Sequence, residues 1–140
     1  MNNQMGAASI TLPHRLSEKL SEKAEEMGYL PEELGVELLD ARELLKKGDL
    51  VQASEKFWGT TALTIKMVAA KRGLKLEEHG SLWAFVNALS KKSGDKDLIG
   101  FFNTANALHR NFYENEMPTE AVGVSAEDIE KLIEKLRRIL

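Results

Sequence analysis

The chain has 140 residues, with 22 acidic against 19 basic side chains for a net charge of −3, and it contains no cysteine. That length suits one domain whose core can stand without staples, and the lack of cysteine excludes disulfides, a thiolate nucleophile and any cysteine-ligated zinc site. Charge this close to balance speaks against a protein that coats nucleic acid indiscriminately.

The opening residues MNNQMGAASITL carry neither a basic start nor a sustained apolar run. No signal peptide is therefore expected, and residues 1–12 read as a flexible lead into a single domain covering 1–140. Helical spacing begins over 13–27, where Leu16, Leu20, Ala24 and Met27 recur at intervals of three and four and Gly28 offers a stop. Pro31 suits a first helical position. Leu34, Leu38, Leu39, Ala41, Leu44 and Leu45 then predict a strong apolar face, closed by Lys46, Lys47 and Gly48. Asp49 can cap the next helix, so KKGDL predicts a tight turn between antiparallel neighbours.

Residues 50–72 predict the architectural centre. Leu50, Ala53, Phe57, Thr61, Thr64 and Val68 make one stripe, and Val51, Trp58, Ala62, Ile65 and Ala69 make an adjoining one. A face this wide meets more than one partner helix. Gly59 in its interior costs about 1 kcal/mol relative to Ala, which predicts a close approach of another backbone or a local bend. Gly73 ends the helix, and 74–80 are expected as a loop carrying His79. Ser81 is expected to open a shorter helix with Leu82, Trp83, Phe85, Val86 and Leu89, which ends in the polar run KKSGDKD.

Residues 98–115, LIGFFNTANALHRNFYEN, form an amphipathic segment with Leu98, Phe101, Phe102, Ala105, Leu108 and Phe112 on one arc. A loop through Val124 is expected next. Ser125, with Glu127 and Asp128, then opens a last helix burying Ile129, Leu132, Ile133, Leu136 and Leu140. No segment alternates with a period of two, and none is long enough to span a bilayer. The expectation is an all-α protein: an antiparallel up-and-down bundle of about five to six helices, cytoplasmic in location.

The functional signal lies along the edge of that amphipathic segment. His109 falls inside the margin of the apolar arc, Asn106 and Tyr113 flank it, and Asn103 and Arg110 lie further round. Such a stripe has the chemistry to bind phosphate or sugar, or to move a proton. Asn106 stands three residues before His109 and Tyr113 four after it, so either can meet the imidazole and hold one tautomer. Arg110 can supply charge for a phosphate. The plainer alternative makes His109 a hydrogen-bonded structural residue at the edge of the core.

His79 reads either as a polar residue at a helix entrance or as a second imidazole folded toward His109, and His14 as a surface or capping residue. There is no Gly-rich phosphate loop, no GxSxG elbow and no pair of His at helix-face spacing. No cofactor or metal is expected, Glu77, Glu78 and His79 being the nearest approach to a ligand group. Acidic residues crowd the first forty positions and basic ones come later, which reads most simply as solvated helix faces.

The runs GDLVQASEKFWGTTALTIKMVAAKRG, HGSLWAFVNALS and NTANALHRNFYEN together resemble the HEPN superfamily, particularly its small archaeal paralogous-repeat branch. The likeness covers roughly residues 34–115 and rests on the Gly48-Asp49 turn, the Ala53/Phe57/Trp58 helix, His79 with Trp83, and Leu108-His109 through Phe112-Tyr113. It implies a helical bundle that forms a homodimer through the helices bearing the polar motif. It also implies a metal-independent endoribonuclease or a partner of a nucleotidyltransferase. One departure stands out: active members place an Arg a few residues before the catalytic His, and here Asn103 and Thr104 take that place while Arg110 follows His109. Asn103 can donate a hydrogen bond but brings no charge.

Function then lies among three readings. The first is a HEPN-like homodimer that binds RNA or nucleotide in a cleft where two His109 stripes face each other, with a degenerate RNase motif. The second is an active metal-independent RNase with His109 as the proton-transfer group and Asn103, Asn106 and Arg110 on the phosphate. The third is a non-enzymatic protein-interaction module, since 34–72 also look like one tetratricopeptide-type hairpin, although no second copy follows at the required period.

Overall fold

The computed structural model describes residues 33–140. They form five helices: α1 Glu33–Lys46, α2 Leu50–Lys71, α3 His79–Ser93, α4 Asp97–Glu114 and α5 Thr119–Ile139. Among the described residues there is no strand. The helix expected over 13–27, the Pro31 start and His14 lie outside the described residues.

The joints follow from local chemistry. Asp49 caps α2 by accepting the Gln52 N–H at 3.2 Å, and Gly48 just before it has φ +80°, a conformation that admits Gly without a Cβ penalty. At the far end of α4 the left-handed position is held by Asn115, φ 47°, the non-Gly residue that tolerates it best.

Two helix starts come earlier than the sequence suggests. α3 begins at His79 instead of Ser81, so His79 is the first helical residue and the loop is shorter by its length. α5 begins at Thr119, with Pro118 in extended conformation before it, so the loop expected through Val124 ends at Pro118. The reason is visible in the packing: Val122, four residues before Ala126, is fully buried and extends the stripe that Ala126, Ile129, Ile133 and Leu136 continue. Gly123 and Ser125 weaken the helical pattern in sequence, but core burial at Val122 outweighs their low propensity.

α2 packs against all four other helices, with α1 and α4 its largest partners. One core joins Ala41 of α1, Phe57, Ile65 and Val68 of α2, Val86 of α3, Phe102 and Leu108 of α4, and Ile129 and Leu132 of α5. A core shared by all five described helices is a closed bundle and not an open tetratricopeptide array. Ser54, Thr60, Thr61 and Thr64 cross it without loose polar groups because each hydroxyl donates to the carbonyl four residues earlier, at 2.6 to 2.9 Å.

Two expectations about faces are corrected. Leu39 is 59% exposed, because α1 turns only Leu34, Leu38, Ala41, Leu44 and Leu45 toward its neighbours. Gly59 is exposed, and a Cβ built on it would meet nothing within 4 Å, so no backbone approaches it closely.

Ion pairs tie α5 to the rest. Arg42 of α1 donates two parallel hydrogen bonds to Glu130, both 2.9 Å, and these hold the Glu130 carboxyl below its usual range. Lys135 donates to Asp95 at the α3–α4 turn at 2.7 Å, lowering that carboxyl in the same way. Lys71 donates to the Leu140 carbonyl, and burial pushes its ammonium downward.

Candidate functional site

Three helices deliver one side chain group each to a common edge. α2 contributes Glu55 and Trp58, three residues apart and so on one face; α3 contributes His79 from its first position; α4 contributes Phe102, Asn106, His109 and Tyr113 at spacings of four, three and four. The Trp58 ring lies 4.7 Å from the His109 ring and 5.1 Å from the His79 ring, both near parallel. The two imidazoles are 6.1 Å apart, far less than the sum of those separations. They therefore sit on the same side of the indole, next to each other. Phe102 and Trp83 close the inner end of the group, their rings 4.5 Å apart and edge to face.

Hydrogen bonds set the proton on each imidazole. Asn106 donates its Nδ2 to the Phe102 carbonyl at 2.7 Å, which fixes the amide so that Oδ1 faces His79. His79 Nε2 approaches that oxygen at 2.5 Å and must carry the hydrogen. His109 Nδ1 lies 3.0 Å from Glu55 Oε1, an acceptor, so it too must carry a hydrogen. A neutral His109 then presents Nε2 as its lone-pair nitrogen. About 30% of its side chain is exposed, enough to reach solvent or a ligand.

The expected pairing of His109 with Asn106 does not occur. Asn106 serves His79 instead, and the partner of His109 is Glu55, 54 residues away in sequence. Tyr113 does meet His109, edge on at 5.5 Å, and remains 69% exposed. Arg110 turns away from the imidazole and pairs with Glu116 at 3.1 Å, which offsets the charge proposed for a phosphate. Asn103 is exposed one helical turn before Asn106. Of the sequence-selected residues, His79, Asn106, His109 and Tyr113 come together, Arg110 faces elsewhere, and Asn103 lies at the rim.

Two participants were not singled out from sequence. Glu55 carries no local signal, since its role depends on α2 lying against α4. Trp58 is visible as an apolar position of α2 but not as the plate under two imidazoles.

A second polar group on α4 is sealed in the core. Asn111 is fully buried; it donates Nδ2 to the Ser54 hydroxyl at 3.0 Å and accepts the backbone N–H groups of Glu116 and Met117 on Oδ1, both at 2.8 Å. It fastens the α4–α5 turn to α2. An Asn three residues after Leu108, at a core position of the helix, was the available sign. Among the described residues, no three side chains of metal-binding type converge, and no helix is long and apolar enough to cross a membrane.

Set against known proteins, residues 30–133 match the family model described as the archaeal PaREP1/PaREP8 family. No curated protein and no solved structure matches the chain.

Proposed function

The chain belongs to the archaeal PaREP1/PaREP8 family, and from that premise we propose that it is a HEPN-like protein that binds RNA or nucleotide along the His109 edge of α4. The binding form is a homodimer in which two such edges face one another across a cleft. The observation that supports this most is the imidazole pair on Trp58, each ring held in one tautomer by a partner of its own while His109 keeps an acceptor nitrogen at an accessible surface. Side chains prepared in this way bind without first having to be ordered.

The test is binding of a labelled mixed-sequence single-stranded RNA by the full chain, followed by anisotropy, with size-exclusion chromatography reporting the oligomeric state. His109→Ala should weaken binding by roughly tenfold with an unchanged helical spectrum, as expected for loss of a contact worth about 1.4 kcal/mol. No binding by the unaltered protein sinks the proposal.

Cleavage is the second reading, and the Glu55–His109 pair is what favours it. A carboxylate that holds Nδ1–H leaves Nε2 to take a proton, which is the division of labour that general-base catalysis requires. Binding ranks above it because Arg110 is paired with Glu116, and among the described residues no other guanidinium is bonded to the groups around His109 to stabilise a phosphorane-like state. Cleavage of an RNA panel in the presence of chelator, abolished by His109→Ala, would reverse that order.

A further inference from the structure

The geometry points to an unpaired adenine ring, stacked on Tyr113 with its amino group directed at His109 Nε2, as the chemical group this edge recognises. This rests on the nucleotide-binding reading above and deepens it. Among the described residues, Tyr113 is one of the few large apolar side chains left open, and its ring is already positioned: it lies near perpendicular to the Phe112 ring at 4.9 Å and to the His109 ring at 5.5 Å. A stacking ring fixed from two sides loses little freedom when a base settles on it.

Charge at this end of α4 decides which part of a nucleotide is held. Arg110 is the one Lys or Arg that α4 carries, and it is already paired with Glu116, while Glu55 is bonded to His109. α4 therefore offers a phosphate no unpaired cation, and the affinity comes from the base. With Nδ1–H bonded to Glu55, the neutral form of His109 offers an acceptor at Nε2, the complement of an exocyclic amino group, which adenine, guanine and cytosine carry and uracil lacks. Stacking on a phenol ring favours the two purines, and adenine suits a single acceptor better because guanine sets a second donor, N1–H, beside its amino group. Asn103, exposed one turn before Asn106, extends the edge for a neighbouring base of a strand.

Free nucleotide and single-stranded RNA both present such a ring, and the experiment separates them. The full chain is titrated with adenosine, AMP, an adenylate hexamer, a uridylate hexamer and the hexamer duplex, with anisotropy or competition as the readout. Adenosine and AMP should bind within about threefold of each other, and the affinity for the adenylate hexamer should fall only shallowly with salt, since few counterions are released. A hexamer bound much more tightly than AMP identifies a strand as the ligand; equal affinities identify the free nucleotide. Tyr113→Ala should weaken adenylate binding by roughly tenfold and Tyr113→Phe should retain it. Exposure of Tyr113 leaves both variants folded.

Tyr113→Ala with unaltered affinity, duplex bound as well as single strand, or AMP bound tenfold better than adenosine would each overturn the stacking assignment while leaving RNA binding in place. Absence of binding to every probe would remove both the assignment and the function beneath it.

Discussion

α4 carries two polar groups less than one helical turn apart that have opposite fates. Asn111 is sealed, its amide nitrogen bonded to Ser54 and its oxygen to two backbone N–H groups of the turn before α5. His109 sits at the rim, matched on one nitrogen by Glu55 and open on the other side. A polar side chain whose every donor and acceptor is used inside the protein holds the fold together; one that keeps a free site at the surface has something left to bind. The same segment thus supplies a buried anchor and a partly open polar edge, distinguished by how far their hydrogen bonds close inside the protein.

The sharpest way to break that contrast is at the anchor. Asn111→Leu leaves the Glu116 and Met117 N–H groups without their acceptor and should cost about 3 kcal/mol in urea unfolding, the range for stranding buried donors. A loss below about 0.5 kcal/mol would mean that the turn satisfies itself and that Asn111 is no anchor.

The open side of α2 is the next test. Gly59 is one residue from Trp58, exposed, and free of neighbours at its missing Cβ. Gly59→Ala should raise stability by about 1 kcal/mol, seen as a higher melting temperature, because Ala is the better helix former. No gain would indicate that a backbone departure from regular helix needs the Gly.

Acid tests the scaffold that carries both groups. Glu130 is held below the ordinary carboxylate range by Arg42, so its contribution is fully present above that range and disappears as pH falls through the lowered value. The Asp95–Lys135 pair acts in the same direction. With side chains 44% and 37% exposed, the Arg42–Glu130 pair should contribute less than about 1 kcal/mol at neutral pH. Glu130→Gln should flatten the loss of melting temperature on acidification; an unchanged acid profile would show that the pair does not hold in solution.

The smallest effect on stability belongs to the His109 edge. Glu55→Ala should change unfolding free energy by no more than about 0.5 kcal/mol, since the Glu55–His109 pair is partly solvated. Its signature is spectroscopic: the ring nitrogens of His109 should lose the Nδ1–H pattern in long-range nitrogen NMR. A retained pattern would mean that something other than Glu55 sets the tautomer.

Helix positions were legible in sequence wherever apolar residues recurred at three and four and a Gly or Asp marked the end, as at Gly48-Asp49. They were misread where a strong local signal competed with a single buried residue. Ser125 looks like a helix cap, yet Val122 is already packed in the core. Within the site, His109, His79, Asn106 and Tyr113 were identified by type and spacing. Their partners were not, because residues three apart on one helix are neighbours without being obliged to touch. The Phe102 carbonyl holds the Asn106 amide and aims its oxygen across to α3.

What the sequence determined by itself is the helical class, the apolar stripes and the residues of the polar edge, all of which depend on periodicity within a single helix. Tertiary structure alone decided that Glu55 orients His109, that Trp58 lies under both imidazoles and that Asn111 is an anchor. Each of those facts depends on how α2, α3 and α4 lie against one another. Such contacts join residues far apart in the chain, and no local period encodes them.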